Sequence, residues 1–316
     1  MPPSGLPTTS ADVATILVGR RGQGVTDVEA LAGGAWSSAF SFEEARHQLV
    51  VRFSVHEEDF RKDEVAARYA SPALPVPPIL EIGRVDEAGF YAVSERRHGS
   101  PLELASEAET VKLLPAVLRM LEALREVDLG AGARWGPWDP DAPGRFGSWR
   151  EALLSIAIDQ PGMRTAGWRT LLAASAAGDR AFELGYAALE EAIDDRVVVP
   201  HLVHSDLMNR NVLVDGDRVT AVLDWGSSIY GDFLLDLGWL TFWAPWYPAW
   251  RDLDVVAAAR DHCPAIGLAV PGFDGRLRAC ELWIGLDGMA YQAWAGHGAD
   301  LERTAARTLE IVQSPA

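Results

Sequence analysis

Cysteine and lysine are both scarce in this chain of 316 residues, which has two cysteines and, in Lys62 and Lys112, only two lysines. Two cysteines are too few for a disulfide framework or for a metal site built from thiolates. No apolar run approaches the ~20 residues of a membrane-spanning helix, because Asp236 and Pro245 interrupt the longest candidate. The N-terminus also lacks a basic region followed by an apolar segment. We therefore expect no signal peptide, no membrane partner and a cytoplasmic protein.

Basic residues are also fewer than acidic residues. The chain has 28 Lys and Arg residues against 45 Asp and Glu residues, which gives a formal net charge of −17. So acidic a chain is a poor partner for the phosphates of nucleic acid. An acidic cleft attracts small cationic ligands, although acidity that serves solubility alone would give the same net charge.

The first 97 residues predict a small sheet lobe. Five segments are typical of strands: residues 27–32, 36–43, 47–54, 79–85 and 89–95. Residues 57–70 have the composition of a helix, which must end before the four prolines of SPALPVPP. We expect a five-stranded antiparallel sheet with one helix.

From residue 98 to residue 316 most signals are helical. Ser106 with Glu109, and Ser148 with Glu151, have the spacing of a capping box at a helix start. The fold class is therefore α+β. We predict two domains, residues 1–97 and 98–316, in a protein that acts as a monomer.

Residues 201–214, HLVHSDLMNRNVLV, place polar side chains between two apolar runs. The chain then turns at DGDR and returns as VTAVLDW, which predicts a hairpin with Asp and Gly at the turn. Folding that hairpin brings Asn211, just before its first strand, close to Asp224, just after its second. Asp206 lies on the loop that leads into the same end of the hairpin.

This group of side chains suits phosphoryl transfer. Carboxylate and carboxamide oxygens, as in Asp224 and Asn211, are ligands that Mg²⁺ prefers. A carboxylate beside the metal, here Asp206, can orient a hydroxyl and accept its proton. The spacing His-x-Asp-x-x-x-x-Asn, followed by a later Asp, is the arrangement of protein kinases and their relatives.

Two other interpretations of the motif are weaker. Asp206 and Asn211 could merely cap turns, but three such groups at one hairpin end exceed what a turn needs. His201, His204 and Asp206 could bind Zn²⁺, but two histidines three residues apart are unsuited to ligate from one extended strand. We expect His204 to be a buried support of the loop.

These residues resemble the signature of the aminoglycoside phosphotransferase family, whose members have a protein-kinase-like fold of two lobes. LDWGSSIYGDFLLDLGWL, residues 223–240, is similar to the second half of that signature. The resemblance implies an enzyme that moves the γ-phosphoryl group of ATP or GTP, with Mg²⁺, to a hydroxyl of a cationic aminoglycoside antibiotic and so confers resistance. The roles it implies are a catalytic base, Asp206; metal ligands, Asn211 and Asp224; and structural supports, His204, Asp232 and Asp236.

The resemblance also implies a nucleotide site in the first lobe. Gly34 and Ser37 lie where the family has its phosphate-covering hairpin. Arg52 stands where kinase-like enzymes usually have a Lys that holds the α- and β-phosphates, and a guanidinium can bind phosphate through two hydrogen bonds. Arg52 could instead be an exposed strand residue. We expect Glu64 to pair with it, with Asp63 as the rival.

The end of the fifth strand is the predicted site of the adenine ring. The backbone groups of Ser94, Glu95 and Arg96 are expected to face the base, on a strand that we place at the edge of the sheet.

Half of the twelve tryptophans fall after residue 235: Trp239, Trp243, Trp246, Trp250, Trp283 and Trp294. Indole rings stack on sugar rings, and the prolines of WLTFWAPWYPAW predict a surface loop that exposes some of them. The resemblance favours Trp243 and Trp246 as acceptor contacts, although core packing would also explain the cluster. Asp287 is the candidate partner for a ligand ammonium group, unless it simply faces solvent.

Two other functions remain open. A kinase of the same fold could act on choline, homoserine or a sugar metabolite, and a catalytically silent relative could bind nucleotide as an interaction module. The sequence leaves undecided which aminoglycoside, which hydroxyl and which of ATP or GTP is used.

Overall fold

The computed structural model describes residues 6–31, 34, 36–85, 89–193, 197 and 199–314. The chain forms two compact units. The first takes in the chain up to Leu102, Asp139–Asp141 and Arg210–Ser227, and the second takes in Glu103–Trp138, Ala142–Asn209 and Ser228 onward. No helix in the described part of the chain is long and apolar enough to cross a membrane.

The first unit is built on a five-stranded sheet. Its helices and strands are α1 (Ser10–Arg21), β1 (Val25–Ala30), β2 (Ser38–Glu44), β3 (His47–Ser54), α2 (Glu57–Ala66), β4 (Ile79–Arg84) and β5 (Phe90–Glu95). The strand order is β1-β2-β3-β5-β4, and every neighbouring pair is antiparallel. The predicted five-stranded antiparallel sheet is thus confirmed.

Helix α1 was not expected, because the first residues of the chain were not read as helical. It begins after Thr9, whose hydroxyl accepts the N–H of Asp12 at 3.2 Å, and ends at Gly22, which has a φ of 91°. Val13 and Leu17 bury one face of α1 in the same hydrophobic core as the sheet residues. The prediction of a single helix in this region is therefore wrong.

β5 is an inner strand, flanked by β3 and β4. Its placement at the sheet edge was wrong because strand order does not follow chain order here. Residues 86–88 and three residues of the segment 31–40 (Ala32, Gly33 and Ala35) lie outside the described residues.

A second small sheet in the first unit carries the predicted hairpin. Its strands are β6 (Ser100–Pro101), β9 (Val212–Asp215) and β10 (Arg218–Val222), in the order β10-β9-β6. Gly216, with a φ of 62°, occupies the turn between β9 and β10. The N–H of Leu223 donates to the carbonyl of Asn211 at 2.7 Å, so the two ends of the hairpin lie side by side.

The second unit is mainly helical, as predicted. Its helices are α3 (Glu107–Arg125), α4 (Trp149–Leu154), α5 (Trp168–Leu172), α6 (Ala176–Ala192), α7 (Leu234–Trp243), α8 (Pro248–Arg251), α9 (Val255–Ala265), α10 (Phe273–Ala295) and α11 (Gly298–Gln313). A short sheet joins β7 (Gly136–Pro137), β11 (Ile229–Gly231) and β8 (His201–Val203). Helix α10 packs against α5, α6, α7 and α11, and forms the centre of the unit.

The predicted helix starts are present. At the start of α3 the carboxylate of Glu109 accepts the N–H of Ser106 at 2.8 Å. At the start of α4 the hydroxyl of Ser148 accepts the N–H of Glu151 at 3.2 Å, while Glu151 accepts the N–H of Gly147. Both pairs satisfy N–H groups that a helix start leaves without partners.

Candidate active site

The loop that carries Asp206 is held by a buried carboxylate of α7. The two oxygens of Asp236 accept the backbone N–H groups of His204 and Ser205, each at 2.8 Å. Ser205 has a φ of 63°, a conformation that a residue with a side chain rarely adopts and that the surrounding contacts maintain. Burial raises the pKa of Asp236 to about 7. Asp236 therefore fixes the backbone of the two residues that precede Asp206.

The far side of the loop is held too. The hydroxyl of Tyr247 donates to the carbonyl of Met208 at 2.9 Å. The amide of Asn209 approaches a carboxylate oxygen of Asp206 at 3.5 Å. His204 is fully buried and Asp206 is half-buried, so the loop presents the carboxylate and hides the imidazole.

The carboxylate of Asp232 is bound by an arginine side chain and a backbone N–H. Its two oxygens accept Nε and Nη2 of Arg276 at 2.8 and 2.7 Å, and one of them also accepts the N–H of Leu234 at 3.1 Å. The carboxylate is buried, and its two oxygens are engaged by this fork. These contacts support a role in shaping the start of α7 and its attachment to α10.

Helix α10 presents acidic and aromatic side chains in the same unit as Asp206. Burial raises the pKa of Asp287 to about 6, and within the described part of the chain no hydrogen bond or ion pair to its carboxylate is found. Tyr291 lies one helical turn further on. Burial, and next the negative charge of Asp206, raise the pKa of Tyr291. The phenol of Tyr291 is thus near the Asp206 carboxylate.

Tyr291 was missed in the sequence. The available signal was its spacing of four residues from Asp287, which places the two side chains on one face of a helix. That spacing alone does not show that the face approaches Asp206.

The tryptophan-rich segment is not a loop, contrary to expectation. It forms the end of α7, a short 3₁₀ turn and α8, and within it Trp239 and Trp250 are buried in the core. Prolines at the first positions of the 3₁₀ turn and of α8 initiate these helices and do not break them.

Trp243 and Trp246 differ from their neighbours because both are half-buried. Their rings meet edge to face with centroids 5.1 Å apart. A Cβ added at Gly288 would lie 3.3 Å from the Trp243 ring, so that ring packs on α10 at the residue that follows Asp287. Arg303 covers the ring of Trp246 at 4.9 Å. The structure therefore places Trp243 on α10 at Gly288, with Trp246 in contact with the ring of Trp243.

In the first unit Arg52 forms an ion pair with Asp63 of α2, and its Nη1 lies 3.5 Å from a carboxylate oxygen of Asp224. Burial opposes the charge of Arg52, but the carboxylates of Asp63 and Asp224 raise its pKa above the ordinary value. The expected pairing with Glu64 is wrong. Glu64 faces solvent, because the buried face of α2 runs through residues 59, 60, 62, 63 and 66.

Asn211 and Asp224 lie at the end of the β9–β10 hairpin, as predicted. Asn211 is buried, whereas the side chain of Asp224 is 41% exposed. The backbone of Asp224 has a φ of 60°. A carboxylate and an amide oxygen fit Mg²⁺, which needs few protein ligands and fills its shell with water and phosphate. Among the described residues no cluster of three or more His, Cys, Asp or Glu side chains could hold a metal.

The remaining nucleotide-site residues lie along the sheet. Gly34 is exposed, and an added Cβ there would meet no atom of the described residues within 4 Å; Ser37 is half-buried just before β2. The N–H of Arg96 donates to the carbonyl of Gln48 at 3.0 Å, so this donor is already used by the sheet. In a strand, the backbone N–H and C=O of successive residues point toward opposite neighbouring strands. The backbone groups of Glu95 therefore point toward the side of β4. On that side the pairing of β5 with β4 ends at Ser94, which pairs with Ile79.

Known proteins resemble this chain in sequence and fold. The phosphotransferase enzyme family matches residues 27–274. Hygromycin-B 4-O-kinase of Escherichia coli is 32% identical over 296 residues, which cover 92% of this chain and 82% of that protein.

Two crystal structures of thermostable mutants of aminoglycoside phosphotransferase APH(4)-Ia share the fold. One, a ternary complex with AMP-PNP and hygromycin B, has a TM-score of 0.82 at 30% identity and covers 96% of this chain and 98% of that chain. The other, a ternary complex with ADP and hygromycin B, has a TM-score of 0.83 at 30% identity and covers 96% and 99%. The kinase-like fold predicted from the sequence is confirmed.

Proposed function

The chain belongs to the phosphotransferase enzyme family, and from this we propose that it transfers the γ-phosphoryl group of ATP to a hydroxyl of hygromycin B or a closely related aminocyclitol. Its family, the aminoglycoside phosphotransferases, and its class, an O-phosphotransferase, agree with the sequence-based predictions and are confirmed. The acceptor and the roles of individual residues are the proposal. The observation that carries it is Asp206, half-buried on a loop fixed by Asp236, with Tyr291 and the unpaired Asp287 on α10 in the same unit.

Asp206 acts on the acceptor hydroxyl. Its carboxylate accepts a hydrogen bond from the hydroxyl, orients it and takes its proton as the bond to phosphorus forms. The two backbone N–H groups bound to Asp236 keep the loop from moving, which matters because catalysis of this kind depends on position.

The acceptor's positive charge is bound by Asp287. Among the described residues this half-buried carboxylate has no partner, which is a costly arrangement in the free protein. An ammonium group of the ligand supplies the missing counter-charge. The ring of Trp243, packed on α10 at the residue that follows Asp287, offers an apolar face to a sugar ring, and Trp246 supports that ring edge to face. Two such contacts favour an aminated sugar over a neutral one.

The nucleotide is held by the first unit. Arg52 binds the α- and β-phosphates, with Asp63 as its counter-ion, and the backbone of Glu95 faces the base beside Ser94 and Arg96. Gly34 and Ser37 cover the phosphates. Adenine nucleotides are favoured because the similar crystal structures contain AMP-PNP and ADP.

Asn211 and Asp224 would hold Mg²⁺ against the phosphates. When bound, the ion neutralises charge that develops on the transferred group. The chain's own contribution is to offer the carboxylate of Asp224 at a fixed place, 3.5 Å from the Arg52 guanidinium. We propose that the protein acts as a monomer in the cytoplasm, where nucleotide donors are present.

A panel assay tests the proposed function. Purified protein, Mg²⁺ and either ATP or GTP are combined with hygromycin B, other aminoglycosides, choline, homoserine and neutral sugars, and nucleotide consumption is measured. We expect turnover with ATP and hygromycin B above all others. Turnover with a neutral or metabolite acceptor alone would replace the proposed substrate, and no turnover with any acceptor would refute the proposed acceptor class.

A further inference from the structure

Helix α2 buries three charged side chains, which is unusual for residues of this kind. Asp59, Lys62 and Asp63 are 7%, 6% and 5% exposed. Their spacing of three and four residues places them on one face of the helix. That face packs against residues 225–227, directly after Asp224.

Two neighbouring residues of α2 hold two backbone groups of this segment. The ammonium of Lys62 donates to the carbonyl of Gly226 at 2.9 Å. A carboxylate oxygen of Asp63 accepts the N–H of Trp225 at 2.8 Å. Lys can only donate and an ionised Asp can only accept, so each residue matches the backbone group that it meets.

Gly226 allows the helix and the segment to approach this closely. A Cβ at this position would lie 2.7 Å from the carboxyl carbon of Asp59, closer than such atoms come in proteins. The contact of Lys62 with the Gly226 carbonyl therefore belongs to a tightly fitted backbone and not to a loose surface.

The residue before this segment is in a strained conformation. Asp224 has a φ of 60°, in the left-handed region that favours glycine. Such conformations persist where the surrounding structure holds them. The segment that follows Asp224 is held by Lys62 and Asp63, and the Asp224 carboxylate lies 3.5 Å from Arg52.

We propose that Lys62 is a positioning residue for the metal–nucleotide site. By binding the Gly226 carbonyl it fixes the backbone after Asp224 and so sets the direction of the Asp224 carboxylate. This inference rests on the proposed role of Asp224 as a metal ligand. It assigns a function to one of the chain's two lysines, neither of which occupies the strand position where kinase-like enzymes usually bind phosphate.

The test compares Lys62→Met with Lys112→Met. Lys112 is exposed on α3 and is the only other lysine, so its variant makes the same chemical change at a surface position. ADP affinity is measured by calorimetry with and without Mg²⁺, with no acceptor and no turnover. We expect Lys62→Met to weaken binding of ADP with Mg²⁺ about tenfold, as for the loss of one hydrogen bond from a charged group. Binding of ADP without Mg²⁺ should be unchanged, and Lys112→Met should match the wild type.

Three results would overturn the inference: wild-type affinity in Lys62→Met, an equal loss of affinity with and without Mg²⁺, or the same effect in Lys112→Met. An equal loss would show that Lys62 supports nucleotide binding independently of the metal. If Lys62→Met fails to fold, Lys62→Gln, which keeps an N–H donor, replaces it, and the expected loss is then smaller but still dependent on Mg²⁺. Failure of the wild-type protein to bind ADP more tightly with Mg²⁺ would instead refute the assigned metal site.

Discussion

Arg52 of β3 and Asp63 of α2 form an ion pair that is largely removed from solvent within the first unit. Asp63 uses its other oxygen to accept the N–H of Trp225, so one carboxylate connects the sheet, the helix and the end of the hairpin. The guanidinium is therefore held by the protein before any phosphate arrives. This preorganisation is what a phosphate-binding residue needs, because less freedom is lost on binding.

Replacing Arg52 should destabilise the protein in a pH-dependent way. Burial raises the pKa of Asp63 and Arg52 opposes this rise, so in Arg52→Met the folded-state pKa should rise further above the ordinary value of 3.8. A carboxyl group whose pKa is higher in the folded state than in the unfolded state contributes its full stability at a pH below the unfolded pKa. This contribution is lost as the pH rises through the folded pKa. Urea unfolding should show a loss of about 3 kcal/mol at pH 8 and a smaller loss at pH 5.

Arg61→Met is the matched control. Arg61 lies on the exposed side of α2 and pairs only with surface carboxylates, so its loss should change the free energy of unfolding by well under ~1 kcal/mol. Equal destabilisation by Arg52→Met at both pH values would show that the charge of Asp63 is not balanced by Arg52.

Asp236→Asn should also destabilise the protein, but with the larger effect at low pH. The folded pKa of Asp236 is about 7 against an ordinary 3.8, so its contribution is complete below about pH 4 and is lost as pH rises through 7. At pH 5 the protonated carboxyl still offers a lone pair on each oxygen to the two N–H groups, whereas the NH2 of an amide would meet one of them as a second donor, which should cost about 2 kcal/mol. Unfolding curves at pH 5 and 8 measure the difference, with the exposed Asp252→Asn as control. A loss that is constant or grows with pH would contradict the raised pKa.

Asp287→Asn should weaken binding of the acceptor and remove its pH dependence. The pKa of Asp287 is about 6, so the ionised form that binds an ammonium group dominates only above that pH. We expect the affinity of the wild type for hygromycin B, measured by calorimetry, to improve between pH 5 and 7. The variant should bind about tenfold more weakly at pH 7.5.

Asp274→Asn, also on α10 but exposed and paired with Arg260, should bind hygromycin B like the wild type. If Asp287→Asn kept both the affinity and its pH dependence, the ammonium site would have to lie elsewhere.

Local patterns were sufficient for much of the fold. The β9–β10 hairpin follows from Asp and Gly at its turn, and the starts of α3 and α4 follow from their capping residues, because these signals act between residues close in the chain. The meeting of Asn211 and Asp224 at one hairpin end was predictable for the same reason.

Features that depend on packing were not predictable. Charged residues normally face solvent, so the sequence favoured Glu64, whereas α2 buries Asp63 and Lys62 against backbone groups that lie more than 160 positions away. The nearness of Tyr291 to Asp206 likewise depends on where α10 packs. Strand β5 lies inside the sheet because strand order is set by pairing and not by chain order.

Mass spectrometry of hygromycin B tests the central claim most directly. The antibiotic is incubated with ATP, Mg²⁺ and either the wild type or Asp206→Asn, whose nucleotide binding is checked by calorimetry. We predict that the wild type adds one phosphoryl group to the antibiotic, and that Asp206→Asn binds nucleotide normally but forms the product roughly 10²-fold or more slowly. An unmodified antibiotic with the wild type, or near-normal turnover by Asp206→Asn, would contradict the account.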